Sequence, residues 1–140
     1  ALEALGCWGA EVPQTVIEQS LCHPAQNRRL AGLQLLTFRA HLLDDAQLLQ
    51  LCEEPLQDFR DTVAIAAIRV LQRRDGALIA DRLADISRHG SDAASKAALL
   101  ALGCIATPIS QRWLLKLSTS LPEGERRQQA YKQLKQQFRQ

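Results

Sequence analysis

The apolar residues of this chain follow a helical spacing from one end to the other. They recur every three or four positions, and no stretch keeps the alternation of two that marks a β-strand. Short segments rich in Pro, Gly or polar residues interrupt this spacing at intervals. The main interruptions are "HPAQN", "EEPLQD", "RRDG", "RHGSD" and "STSLPEGE". The pattern therefore predicts an all-α protein in which short and long helices alternate.

Several residues at these interruptions have the chemistry of helix starts and stops. Acidic and hydroxyl side chains cap the first turn of a helix, proline is tolerated there, and glycine often ends a helix. Asp44-Asp45 is expected to cap one helix, Ser91 or Asp92 a second, and Thr107-Pro108 to begin a third. Gly76 and Gly90 are expected to end the helices that precede them.

A repeat of about 32 residues underlies this alternation of helices. The tetrapeptide "ALGC" occurs at 4–7 and again at 101–104, and both copies fall at the same place in the repeat. Ala and Gly let a helix approach its neighbour closely, while Leu fills the remaining space. The pattern A-x-x-x-L recurs at spacings of 30, 32, 35 and 32 residues, beginning at Ala1, Ala31, Val63, Ala98 and Ala130.

The segments "RRLAGLQLL", "RDTVAIAAI" and "RQQAYKQL" carry a motif R-x-x-A-x-x-x-L and resemble the second helices of HEAT repeats. Ser95 replaces the arginine in a fourth copy, and Val63 replaces one alanine. The resemblance covers nearly the whole chain. It implies a right-handed α-α superhelix, a HEAT-like solenoid of about four antiparallel helix pairs over residues 1–140. Armadillo-type and other helical repeats remain alternatives.

The two ends of the chain differ in polarity. The last predicted helix, 123–140, keeps only a narrow apolar stripe, as a terminal capping helix does. Residue 1 instead falls inside an apolar helix, with Ala1, Leu5 and Trp8 already in the repeat pattern. We therefore expect further repeats before residue 1, so that 1–140 is the C-terminal part of a longer chain, and the absence of Met agrees with this. The uncapped apolar N-terminal end is a candidate surface for self-association.

Composition adds little about function. Apolar residues make up 46%, charged residues 23% and aromatic residues 4% of the chain, which is typical of a soluble globular protein. No apolar run approaches the length of a membrane span, and no signal peptide is visible. The four cysteines, at 7, 22, 52 and 104, form no metal or redox motif. They are expected to be buried thiols, and their scatter favours a cytoplasmic location.

No catalytic, cofactor-binding or metal-binding residues are predicted. His23 and His89 lie in turns, no glycine-rich phosphate loop occurs, and Trp8 and Trp113 are expected in the core. The expected function is a non-enzymatic scaffold or adaptor that binds another protein along a concave surface lined by the second helices. A subunit of a helical-repeat lyase is an alternative for which no catalytic residues are visible.

Charge is distributed unevenly. Residues 108–140 carry seven Lys or Arg and two acidic residues, a balance of +5, whereas the first 107 residues have a balance of −3. Lys132, Lys135 and Arg139 share one helix face, which is either a solvated cap or a site for nucleic acid or another polyanion. The repeated arginines are candidates for partner binding or for a ladder between repeats: Arg28, Arg60 and Arg127.

Overall fold

A computed structural model describes residues 14–137, and this part of the chain is helical throughout, without strands. The all-α prediction is confirmed. Ala1, Leu5, Trp8 and the proposed self-association surface lie outside the described residues. The described α-helices are α1 Gln14–Cys22, α2 Gln26–Arg39, α3 Asp45–Leu56, α4 Asp61–Leu71, α5 Ala77–His89, α6 Asp92–Ile105, α7 Pro108–Ser120 and α8 Glu125–Gln137, and a 3-10 helix, Ala40–Leu42, follows α2.

Polar caps begin three of the helices where the sequence predicts them. The Asp44 carboxylate accepts a hydrogen bond from the Gln47 amide at 2.8 Å, and the Asp44 amide donates to the Gln47 side chain. Thr107 and Ser110 form the same reciprocal pair at the start of α7, with Pro108 in the first turn. The Ser91 hydroxyl accepts from the Ala94 amide at the start of α6. These side chains satisfy amides that the helix itself leaves unpaired.

Two predicted helix ends are wrong. Gly76 was expected to end a helix, but α4 ends at Leu71 and Gly76 lies at the N-cap of α5 in extended conformation (φ −73°, ψ 157°). The segment "EEPLQD" was expected to interrupt the chain, yet α3 continues through Pro55 to Leu56. Pro55 is buried in the last turn, where the loss of one amide donor does little damage.

The chain divides into two compact units, Ala1–Val70 and Leu71–Gln140. In the first unit, α1 packs against α2 and α3. The side chains between them are aliphatic and almost fully buried, so this unit is held together by apolar contact. The largest buried side chains of the first unit are Ile17, Leu21, Leu35, Leu36, Leu48 and Ile68.

In the second unit, helices that are near in sequence are also near in space. Helix α5 packs against α6 and α7, α6 packs against α7 and α8, and α7 packs against α8. Each of the first two helices of this unit therefore contacts the next two along the chain. The largest buried side chains of the second unit are Leu71, Ile79, Leu83, Leu99, Leu102 and Leu114.

Small residues mark the closest helix approaches. A Cβ added at Gly32 of α2 would lie 2.9 Å from the Ser20 Cβ and 3.2 Å from the Leu21 amide nitrogen of α1. A Cβ added at Gly103 of α6 would meet the buried side chain of Gln133 in α8. In the second "ALGC" copy, Ala101 and Leu102 are buried and Gly103 admits α8. The closeness of these backbones therefore depends on the missing side chains.

The expectation that the cysteines are buried holds for one of the three that the structure describes. Cys52 is buried, whereas Cys22 and Cys104 are exposed. Cys104 follows the buried Leu102 by two positions, which is more than half a turn around the helix, so the two side chains point to opposite sides.

Replacing Gly32 by Ala is expected to destabilise the protein. The new methyl group overpacks the α1–α2 contact at a cost of about 1–3 kcal/mol, which outweighs the gain of about 1 kcal/mol that alanine brings to a helix over glycine. Urea unfolding gives the free energy of unfolding of both proteins. Gln34→Ala, at an exposed position of the same helix, is the control and is expected to be neutral. A Gly32→Ala protein as stable as the parent would contradict the close approach.

Candidate functional site

A buried carboxylate organises the turn between α3 and α4. The Asp58 side chain is 1% exposed and accepts hydrogen bonds from Nε and Nη2 of Arg60 at 2.9 and 2.8 Å and from Nη1 of Arg29 at 3.1 Å. It also accepts the Arg60 backbone amide at 2.8 Å. The hydrogen bonds from the Arg60 side chain, helped by both guanidinium charges, lower the pKa of Asp58 from 3.8 to about 2 against the opposing effect of burial.

The same two arginines join separate turns of the first unit. Arg60 Nη2 donates to the Pro24 carbonyl in the α1–α2 turn at 3.0 Å. Arg29 donates to the His23 carbonyl at 2.7 Å and to the Glu54 carbonyl near the end of α3 at 3.3 Å. Phe59, which is 90% exposed, projects from this fixed turn with the Arg60 guanidinium 5.2 Å from its ring centre. The arginines thus satisfy carbonyls that the helix ends leave free.

The second unit contains a corresponding contact. Arg126, near the start of α8, donates to the Gly90 carbonyl at 2.7 Å and to the Arg88 carbonyl at 3.1 Å at the end of α5. Arg126 and Gly90 are 36 residues apart, as are Arg60 and Pro24. Both partners have moved 66 positions along the chain, from 24 to 90 and from 60 to 126. The two units therefore use the same kind of link between an arginine and a preceding turn.

The structure places the three predicted arginines differently. Arg60 lies in the Asp58 cluster, Arg28 is exposed, and Arg127 Nε donates to the Ser118 carbonyl of α7 at 2.9 Å. The links to neighbouring turns are made by Arg29 and Arg126, each beside a predicted residue. Sequence analysis passed over these two, although the doubled arginines at 28–29 and 126–127 were the visible signal. A partner-binding role for Arg28, Arg60 and Arg127 stays a prediction.

Trp113 lies on the surface between α5 and α7, although the sequence analysis expected it in the core. Its indole Nε1 donates to the Asp81 carboxylate at 2.9 Å. The Arg88 guanidinium and the Lys116 ammonium lie 5.3 and 5.0 Å from its ring centre, which is within cation–π range. We call Asp81, Arg88, Trp113 and Lys116 the Trp113 cluster. These contacts hold a partly exposed aromatic ring in one orientation.

An open groove of about 660 Å³ lies between α7 and α8, and we call it the hairpin groove. Leu115 and Tyr131, which are 56% and 58% exposed, line it together with Leu134 and Arg127. Glu123 is its acidic lining residue. Large apolar side chains that remain this accessible beside polar groups are typical of contact surfaces.

The predicted basic face of the last helix is described in part. Lys132 and Lys135 are exposed on α8, and the Lys135 ammonium lies 5.9 Å from the Tyr131 ring centre. Arg139 lies outside the described residues. The basic face therefore adjoins the hairpin groove through Lys135 and Tyr131.

Reactive side chains are not gathered into a centre in the part of the chain that the structure describes. No group of three or more His, Cys, Asp or Glu residues that could hold a metal ion occurs among residues 14–137. Burial raises the pKa of the Cys52 thiol to about 12, so this residue remains a thiol at neutral pH. Among the same residues, no helix has the length and apolar character needed to cross a membrane.

No protein-family model matches this sequence, and comparison with curated proteins and with solved structures finds no match either. The residues and contacts described above are therefore the basis for the functional argument.

The Asp58 cluster predicts an acid-dependent loss of stability. Because the pKa of Asp58 is lower in the folded protein than in the unfolded chain, its contribution is present above pH 4 and disappears as the pH falls toward 2. Asp58→Asn keeps an acceptor but removes the charge, and is expected to lower the free energy of unfolding by about 1–2 kcal/mol at neutral pH. Urea unfolding between pH 6 and pH 2.5 checks this.

The difference between the parent protein and Asp58→Asn is expected to shrink as the pH falls. Asp75→Asn, at an exposed position, is the control and is expected to show a small difference at every pH. A stability difference for Asp58→Asn that does not change with pH would rule out the ionised carboxylate as its source.

Proposed function

We propose that this chain is part of a HEAT-like helical-repeat scaffold or adaptor that binds another protein. Three observations support the proposal: the sequence register of about 32 residues, the packing of α5 and α6 against the next two helices, and the repeated link between an arginine and a preceding turn. In this proposal the helix pairs stack as a right-handed superhelix. Armadillo-type stacking would serve the same function.

The hairpin groove is the docking site that we favour, and its exposed apolar lining is the observation that carries the proposal. Leu115 and Tyr131 face solvent across a space large enough for side chains of a partner. Covering them removes apolar surface from water at about 25 cal/mol per Å². Tyr and Arg are also the residue types that dominate binding energy at protein interfaces, and Arg127 lines the same groove.

Site-specific crosslinking tests this proposal. A photoreactive phenylalanine in place of Tyr131 is expected to capture a discrete partner protein in cells that express the full-length protein. The same group in place of Gln34, at an exposed position of α2, is the control and is expected to capture little. Adding Leu115→Glu is expected to reduce the Tyr131 adduct at least tenfold, which corresponds to about 1.4 kcal/mol of binding energy. An adduct that is absent at Tyr131, or indifferent to Leu115→Glu, would contradict docking in this groove.

A second candidate function is polyanion binding through α8, which the exposure of Lys132 and Lys135 and the local balance of +5 favour. In that case the protein is retained on heparin at low salt, and Lys132→Glu with Lys135→Glu removes the retention. Lys96→Glu, a change of the same charge on α6, serves as the control. Elution at equal salt for all three proteins would eliminate this candidate. No observation favours the lyase-subunit alternative.

A further inference from the structure

The Trp113 cluster and the hairpin groove occupy opposite sides of one helix. Trp113 and Leu115 are two residues apart in α7, which separates their side chains by about 200° around the helix axis. Trp113 faces α5 through its contact with Asp81, whereas Leu115 lines the groove beside α8. Between these two sides, Arg112 and Lys116 are exposed.

The charges on this surface are unbalanced in favour of cations. Arg88, Arg112 and Lys116 are exposed on or beside the solvent side of α7, and Arg127 lines the groove. The acidic groups on the same surface are Asp81 and Glu123, and one Asp81 oxygen is already engaged by the indole N–H. Lys and Arg keep donors for a second partner while they contact an aromatic ring, because each has several N–H groups.

We propose that the exposed side of α7 binds an acidic, extended segment of a partner protein. Carboxylates of this segment contact Arg88 and Lys116 beside Trp113, and an apolar side chain of the same segment enters the hairpin groove. This inference rests on the proposed docking function and specifies the chemistry of the partner. The fixed Trp113 ring supports it, since a preorganised contact surface loses little conformational entropy on binding.

The helix that separates the two sites sets the spacing within the bound segment. An α-helix with its side chains is about 10–12 Å across. An extended chain advances about 3.3 Å per residue. The apolar residue therefore lies about four positions from the acidic residues.

A protein segment fits this surface better than a nucleic acid does. The groove side is lined by Leu115, Leu134 and the Tyr131 ring, which favour an aliphatic or aromatic anchor. Nucleic acid carries a uniform row of phosphates and offers no aliphatic side chain. Glu123 in the groove and Asp81 beside Trp113 would repel part of such a row.

Labelled synthetic peptides test the inference on the full chain by fluorescence anisotropy. One peptide carries Leu about four residues before a Glu-Glu pair, and a second has the same composition with Leu next to the pair. The spaced peptide is expected to bind about tenfold more tightly, a difference of about 1.4 kcal/mol. Lys116→Glu and Arg88→Glu are each expected to weaken the spaced peptide at least tenfold. Lys96→Glu is the matched control, and circular dichroism verifies that each variant is folded.

The outcomes separate this inference from the function on which it rests. Equal affinity for the two peptides, or indifference to Lys116→Glu and Arg88→Glu, overturns the acidic-segment inference. A Tyr131 crosslink sensitive to Leu115→Glu would still uphold docking in that case. Tighter binding of oligo(dT) or heparin than of the spaced peptide, lost in Lys116→Glu, would assign the surface to polyanions and also overturn the inference.

Discussion

Close contact between helices at small residues is the constraint on which the structure depends. The chain is poor in aromatic residues, so its cores are filled by Leu, Ile, Val and Ala, and these fill space only when the backbones are near. Gly32 lets α2 approach α1, and Gly103 lets α6 approach α8 against Gln133. In the second unit, this close packing joins each helix to sequence neighbours. Side chains that point away from these contacts, including Leu115 and Tyr131, remain available to a partner.

Arginine links to preceding turns add direction to this nonspecific apolar packing. A leucine-rich interface tolerates sliding, whereas a guanidinium held by a carboxylate and a carbonyl allows one position. Arg60 is fixed by Asp58 and donates to Pro24 in the first unit, and Arg126 donates to Gly90 in the second. The equal separation of these pairs suits a chain built from similar segments. The fixed turn also presents Phe59 to solvent, so order in the backbone and exposure of an aromatic side chain arise from the same contacts.

The helices and several of their caps could be predicted from sequence because they depend on residues close in the chain. Asp44, Ser91 and Thr107 cap the helices that follow them, as their side chains require. Pro55 was misjudged because its effect depends on how near it lies to the end of a helix. Arg29 and Arg126 were missed because a shift of one residue turns a side chain by about 100°, and only the tertiary packing decides which of two adjacent arginines reaches a neighbouring turn. The hairpin groove and the Trp113 cluster each need two helices in known relative positions, which no local pattern supplies.

The helix contacts at glycine are tested most directly by nuclear Overhauser effects in solution. The account predicts strong effects from the Gly32 α-protons to the Ser20 and Leu21 side chains, and from the Gly103 α-protons to the Gln133 side chain. Their presence would establish that α1 lies on α2 and that α6 lies on α8 at the residues described. If these effects were absent and both glycines instead showed contacts to other helices, the arrangement of the helices, and with it both surfaces on α7, would be contradicted.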